Sequence, residues 1–147
     1  MKYTTEVTIN LPRTRVIELF DNTGNLNKWQ EGLISIEPIS GEPGQEGTRS
    51  KMVYEGRKGE LEMTEIITKR NLPEEFHGIY KARGVHNEVY NYFTEPEENR
   101  TLWRMENIFK FRGLMLLMAP FMKTVFTNNT LLNMERFKSF AEKSDQQ

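Results

Sequence analysis

Few side chains in this sequence are of the types that usually carry out chemistry. The chain has two histidines and no cysteine, which excludes thiolate nucleophiles, disulfides and cysteine metal ligands. His77 and His86 fall in separate predicted strands and need not converge. No His-x-x-x-His or Gly-x-Ser-x-Gly pattern is present. The sequence therefore predicts no metal site, no cofactor and no activated nucleophile.

One candidate acid-base group is left. His86, Glu88 and Tyr90 alternate along one predicted strand, so they share a face of the sheet. A nearby carboxylate favours the charged imidazole, and such a pair can transfer protons. The alternative is that these residues are neutral members of the surface or rim. Catalytic residues are therefore not assigned.

The composition narrows the class of protein. The 147 residues include 20 Lys and Arg against 21 Asp and Glu, a formal charge of −1, which argues against a nucleic-acid binder. Nine Phe, five Tyr and two Trp are enough apolar surface for a folded core. The first residues lack the apolar run of a secretory signal, so we expect a cytoplasmic location.

The elements that position these side chains follow from period and turn signals. A strand over 3–9 precedes a helix that begins after Pro12 and a second short helical piece over 26–29. Short connections then predict an antiparallel meander of about six strands, and the tail predicts one long helix, bent or interrupted at Pro120. The meander strands are expected at 34–40, 48–55, 60–70, 75–83, 85–94 and 100–111, and the helix at 113–143.

This arrangement resembles a known superfamily. The Pro-led first helix, Leu26-Asn27-Lys28-Trp29 before the second strand, the glycine loop 41–47 and the ending 132–142 are similar to the START-like (SRPBCC) helix-grip superfamily, in its polyketide cyclase/dehydrase and lipid-transport branch. The resemblance implies an α+β fold in which a curved antiparallel sheet of about seven strands grips a long C-terminal helix. It also implies that residues 1–147 form a single START-like domain with a cavity for hydrophobic ligands.

The lining of that cavity is predicted from strand alternation and helix spacing. Aromatic and methionine side chains on the inner sheet face and on the last helix can contact a hydrophobic ligand, or they can simply fill a core. Trp29 is either a gate at the cavity mouth or a packing anchor. The expected ligand-binding residues are Trp29, Tyr80, His86, Tyr90, Trp103, Met105, Met118, Met122 and Phe126.

Two further segments have alternative interpretations. The run 113–122 is the most apolar part of the chain but is too short to span a bilayer, which takes about 20 residues. It is either the buried start of the last helix or a gate that touches a membrane transiently, without stable insertion. The glycine-rich segment 41–48 is a hairpin loop, and it is also a candidate lid of the cavity.

Three functions remain open. The first is non-catalytic binding or transport of a small hydrophobic or lipid-like molecule, which the scarcity of catalytic side chains favours. The second is a polyketide cyclase or aromatase that uses His86, Glu88 and Tyr90 for proton transfer. The third is a co-chaperone-like or toxin-like interaction module, which an exposed apolar patch on the long helix would favour. The sequence does not predict the oligomeric state.

Overall fold

The computed structural model describes residues 1–146, which form one antiparallel sheet and three helices. The spatial order of the strands is β1-β7-β6-β5-β4-β3-β2, so the first two strands in sequence are the two edges of the sheet. The strands are β1 (Lys2–Ile9), β2 (Leu33–Ser40), β3 (Arg49–Gly56), β4 (Gly59–Asn71), β5 (Glu75–Ala82), β6 (Val85–Glu97) and β7 (Arg100–Phe111). The helices are α1 (Arg13–Phe20), α2 (Leu26–Trp29) and α3 (Leu114–Ser144).

The predicted α+β helix-grip architecture is confirmed. The meander strands lie within a few residues of their expected bounds, because each ends at a Gly, Pro or Asn turn signal. One turn differs: β6 continues to Glu97, through most of the acidic segment expected to be a loop, and a register shift separates Thr94 from Glu97. Only Glu98 and Asn99 then remain as the turn, with Asn99 at a φ of 61°.

The helix α3 crosses the concave face of the curved sheet near the edge formed by β1 and β7. The Tyr3 hydroxyl lies 2.7 Å from the Thr130 hydroxyl, and the Lys138 ammonium donates to the Thr8 carbonyl at 2.5 Å. In β1, side chains alternate between buried and exposed, with Val7 and Ile9 directed at the helix. The helix is therefore fixed mainly against β1.

The main core lies under the C-terminal half of α3. Met134, Phe137 and Ala141 are fully buried there. Pro120 lies in the N-terminal half of the same helix, which continues through it without interruption. The core joins residues from β1, the two short helices and the ends of β6 and β7. Its buried members are Val7, Ile9, Leu11, Val16, Leu19, Trp29, Phe93, Trp103, Met134, Phe137 and Ala141.

The N-terminal half of α3 has an apolar surface open to solvent. Leu114, Leu117, Met118, Phe121 and Val125 follow one another at helical spacing and lie on one side of the helix, and each is about half exposed or more. We call these five residues the outer stripe. None of the helices within residues 1–146 combines the length and the hydrophobicity needed to cross a bilayer.

Candidate functional site

A cavity of about 310 Å³ lies between the concave sheet face, α2 and the C-terminal half of α3. Its wall is mostly apolar and comes from Phe20, Leu26 and Trp29 on one side and from β2 to β7 on the other. Only Thr130 and Asn133 of α3 contribute. The volume falls at the lower end of the range usual for small-molecule sites. The sheet residues on the wall are Ile36, Pro38, Ser50, Tyr54, Met63, Glu65, Ile67, Phe76, Tyr80, Asn87, Val89, Asn91, Trp103, Met105 and Asn107.

Four of the residues expected to contact a ligand lie on this wall: Trp29, Tyr80, Trp103 and Met105. Trp29 is 4% exposed and packs edge-on against Trp103 and Phe137, with ring centroids 5.8 and 5.2 Å apart. This position corresponds to the packing-anchor interpretation of Trp29, since its ring belongs to the core and also forms part of the cavity wall.

The face of β6 that meets the cavity is the opposite of the one expected. Asn87, Val89 and Asn91 face the cavity, so His86 and Tyr90 lie on the opposite, convex face of the sheet. There the Tyr90 hydroxyl is 3.5 Å from Glu88, and the Tyr90 ring packs against His77. The candidate acid-base group of His86, Glu88 and Tyr90 therefore does not face the cavity.

The three expected residues of α3 also lie away from the cavity wall. Met118 belongs to the outer stripe and is 51% exposed. Phe126 stacks on Phe109 at 5.0 Å, above β7, and Met122 is half-buried. These placements arise because the N-terminal half of α3 covers the β1–β7 edge, whereas the cavity lies further along the helix.

A row of polar side chains crosses the cavity wall. The strand register pairs Ser50 with Glu65, Glu65 with Tyr80, and Tyr80 with Asn87, so these four residues lie side by side on β3 to β6. We call them the polar row. On the same face of β5, the Tyr80 ring lies over Gly78, where an added Cβ would contact the ring at 3.4 Å. The polar row therefore runs without interruption across four adjacent strands of the wall.

Glu65 is the electrostatic centre of the polar row. The Tyr80 hydroxyl donates to Glu65 Oε2 at 2.7 Å. Burial raises the pKa of the Glu65 carboxyl, and the Tyr80 hydrogen bond lowers it in part. Burial, followed by the nearby Glu65 charge, raises the pKa of the Tyr80 and Tyr54 hydroxyls. Both tyrosines are therefore protonated donors at neutral pH.

Some of the other polar groups of the wall form hydrogen bonds with each other, and two have no hydrogen-bond partner in the part of the chain that the structure describes. Tyr54 donates to Gln30 Oε1 at 2.5 Å, and Trp103 Nε1 donates to Asn91 Oδ1 at 2.9 Å. In contrast, the buried Trp29 Nε1 and Asn107 Nδ2 have no hydrogen-bond acceptor within residues 1–146. Buried donors normally find partners, so these two are exceptions among the polar groups of the wall.

The cavity mouth is held by an ion pair. Asp21, Thr23, Pro38 and Pro43 line the cavity and are exposed, which places its mouth between the end of α1 and the loop 41–48. The Arg70 guanidinium bonds both Asp21 carboxylate oxygens, at 2.6 and 2.5 Å, and also the Gly44 carbonyl at 2.9 Å. We call this three-residue contact the mouth clasp, because it ties α1, β4 and the loop together.

Sequence reasoning missed Glu65, Tyr54 and the asparagines of the wall. Carboxylates are rarely buried, so a lone Glu in a strand is read as exposed. The available signal was the alternation of Asn87, Val89, Asn91 and Phe93, which places uncharged residues on one face of β6 and His, Glu and Tyr on the other.

Among residues 1–146, no group of three metal-binding side chains comes together.

Comparisons with known proteins identify the fold. The chain is similar to a START superfamily protein from Mycobacterium smegmatis (TM-score 0.81, 6% identity, 97% of each chain) and to the Zhui aromatase/cyclase from Streptomyces sp. R1128 (0.81, 12%, 97% of this chain and 94% of that one). A conserved protein from Geobacillus kaustophilus gives a TM-score of 0.83 at 13% identity, over 98% of this chain and 97% of the other. No family model and no curated protein sequence matches. The chain therefore has the START-like fold.

Proposed function

We propose that this protein binds a small hydrophobic molecule in the cavity between the sheet and α3, without converting it, and that the whole chain acts as one ligand-binding domain. The observation that carries the proposal is the cavity of about 310 Å³ with a largely apolar wall. This volume equals that of about ten water molecules, which suits a ligand of modest size. Transfer of apolar surface from water to such a wall supplies the binding energy.

Binding is favoured over the catalytic alternative by the position of the candidate proton-transfer residues. His86, Glu88 and Tyr90 lie on the convex face, so a molecule in the cavity does not contact them. A neighbour of similar fold is named an aromatase/cyclase, but at 12% identity this likeness carries the fold alone.

The test measures binding of the uncharged fluorescent probe N-phenyl-1-naphthylamine, together with native mass spectrometry of freshly purified protein. We expect a fluorescence increase and a higher melting temperature, because a ligand selective for the folded state stabilises it. The variant Ile67→Phe places a ring in the cavity and should abolish binding. Its matched control is Ile79→Phe, which puts the same ring on the convex face. Equal binding by both variants would contradict the proposal.

A second observation favours a carrier that exchanges its ligand at a membrane. The outer stripe is an exposed apolar surface, and Lys110 and Arg112 lie just before the helix that carries it. No acidic residue occurs between Glu106 and Glu135. An amphipathic surface with a basic border is typical of peripheral contact with anionic lipid. We propose that the outer stripe contacts an anionic bilayer transiently, in a protein located in the cytoplasm.

The same border disfavours the interaction of two copies through this surface, because their positive charges would face each other. The test is co-sedimentation with phosphatidylcholine vesicles, with or without phosphatidylglycerol. We expect binding to the anionic vesicles alone, lost in Phe121→Ser and kept in Ile39→Ser, which alters an exposed apolar residue of β2. Absence of vesicle binding, or a dimer in sedimentation that Phe121→Ser dissociates, would contradict the membrane proposal.

A further inference from the structure

The charged residues of the cavity wall are all acidic. Glu65 and Asp21 are the charged residues on the wall, which within residues 1–146 includes no Lys, Arg or His. Asp21 lies at the mouth and is neutralised by Arg70 in the mouth clasp. Glu65 lies inside, and no cationic side chain of the described chain pairs with it. The interior therefore presents one carboxyl group without a counter-ion.

Such a group is costly to bury in its charged form. Carboxylates removed from water are normally paired with a cation or satisfied by several hydrogen bonds. Tyr80 satisfies Oε2 of Glu65 at 2.7 Å, whereas Oε1 accepts no hydrogen bond from residues 1–146. Burial raises the pKa of the Glu65 carboxyl, and the Tyr80 hydrogen bond lowers it only in part. A ligand that brought a positive charge would remove the penalty.

We propose that the cavity takes a hydrophobic amine, bound as its ammonium ion with the nitrogen beside Glu65 and the hydrocarbon part against the apolar wall. This inference rests on the proposed function. The ammonium donates to the carboxylate oxygen that Tyr80 leaves free. A fatty acid or a phosphate ester is rejected, because Glu65 repels its charge and no cation replaces its hydration.

The experiment compares three molecules that differ in the head group alone: decylamine, decanol and decanoate. Each displaces N-phenyl-1-naphthylamine from the wild-type protein at pH 7, where decylamine is protonated. We expect decylamine to bind about tenfold more tightly than decanol, and decanoate to bind most weakly. Decylamine binding no tighter than decanol, or decanoate binding at least as tight as decylamine, would overturn the inference.

A pair of variants assigns the preference to one residue. Glu65→Gln keeps the size of the side chain and an acceptor for Tyr80 but removes the charge. We expect the advantage of decylamine over decanol to fall to within about twofold. The control Glu88→Gln makes the same change on the convex face and should keep the tenfold preference. A preference that survives in Glu65→Gln would overturn the role of Glu65.

The design separates two kinds of failure. If the probe binds but the three head groups do not follow the expected order, the amine inference fails and the proposed ligand-binding function stands. If neither the probe nor any of the three molecules binds the wild-type protein, the proposed function itself fails. The wild-type comparison requires no substitution, so it decides the question even if Glu65→Gln does not fold.

Discussion

Tyr80 and Glu65 lie directly opposite each other on β5 and β4, and the Tyr80 hydroxyl donates to Glu65 Oε2 at 2.7 Å. Directly paired residues on adjacent strands project on the same face with their Cβ atoms about 5 Å apart, so the backbone register alone brings the two side chains together. The pair thus places a titratable carboxyl inside the cavity on two rigid strands rather than on a loop.

The first prediction concerns the pH dependence of stability. The folded-state pKa of Glu65 is raised above the ordinary value of 4.5 by burial, so the folded protein holds this proton more tightly than the unfolded chain. The free energy of unfolding should then fall as pH rises from below 4.5 through the folded-state pKa, and level off above it. Tyr54 and Tyr80, the titratable groups that face Glu65, stay protonated throughout.

Urea unfolding of the wild type and Glu65→Gln at several pH values measures this contribution as a difference between the two proteins. The difference removes the titration of groups that both proteins share. A difference that does not change with pH, or one that increases the stability of the wild type as pH rises, would contradict the prediction.

The second prediction concerns the mouth clasp. Replacement of Arg70 by Met removes the bidentate bond to Asp21 and the bond to the Gly44 carbonyl. We expect faster amide exchange in the loop 41–48 and faster dissociation of the probe. The loss of global stability should be about 1 kcal/mol or less, because both partners are partly exposed. Arg100→Met, which removes an ion pair with Glu97 at another turn, should leave both rates unchanged.

The third prediction concerns the two halves of α3. Phe137 is fully buried against Trp29 and Trp103, so Phe137→Ala should lower the free energy of unfolding by about 3 to 5 kcal/mol. Phe121 on the same helix is 77% exposed, and Phe121→Ala should change the free energy of unfolding by less than about 0.5 kcal/mol. Chemical denaturation of both variants and the wild type measures these changes in the free energy of unfolding. Similar losses in the two variants would show that the outer stripe is covered in solution.

The fourth prediction concerns the two faces of the sheet. Tyr80 lies on the cavity wall, and Tyr90 on the adjacent strand lies on the convex face. Tyr80→Ala should weaken probe binding about tenfold, because it removes an aromatic wall, whereas Tyr90→Ala should leave the affinity unchanged. Fluorescence titration of both variants, each checked for folding by circular dichroism, gives the answer. A weaker affinity in Tyr90→Ala alone would reverse the assignment of faces.

The sequence predicts the order and bounds of the elements well because their ends have local causes. Pro12 begins a helix, Gly56 and Gly59 bracket a tight turn, and the apolar period of the tail is that of a helix. The orientation of β6 has a weaker local signal, the absence of charged residues on the face of Asn87, Val89 and Asn91. Both of its faces carry large side chains, and the neighbouring strands decide which set turns inward.

The site was harder to predict for the same reason. α3 is apolar on more than one side, so its period does not indicate which side meets the cavity. Helix spacing and hydrophobicity predict Met118 and Phe126 at the cavity, yet the position of α3 over β1 and β7 directs them elsewhere. The role of Glu65 depends on three strands meeting in register, which spacing within a single strand does not reveal.

The polar row shares no residue with the main core, and this separation has an evolutionary consequence. Ser50, Glu65 and Tyr80 lie on β3, β4 and β5, which contribute no residue to the main core. Asn87 lies on β6, which contributes Phe93 alone. Substitutions in the polar row can therefore change the chemistry of the cavity wall while the main core stays intact. In a fold organised in this way, the polarity and charge of the cavity can evolve by single substitutions, separately from the residues that hold the fold together.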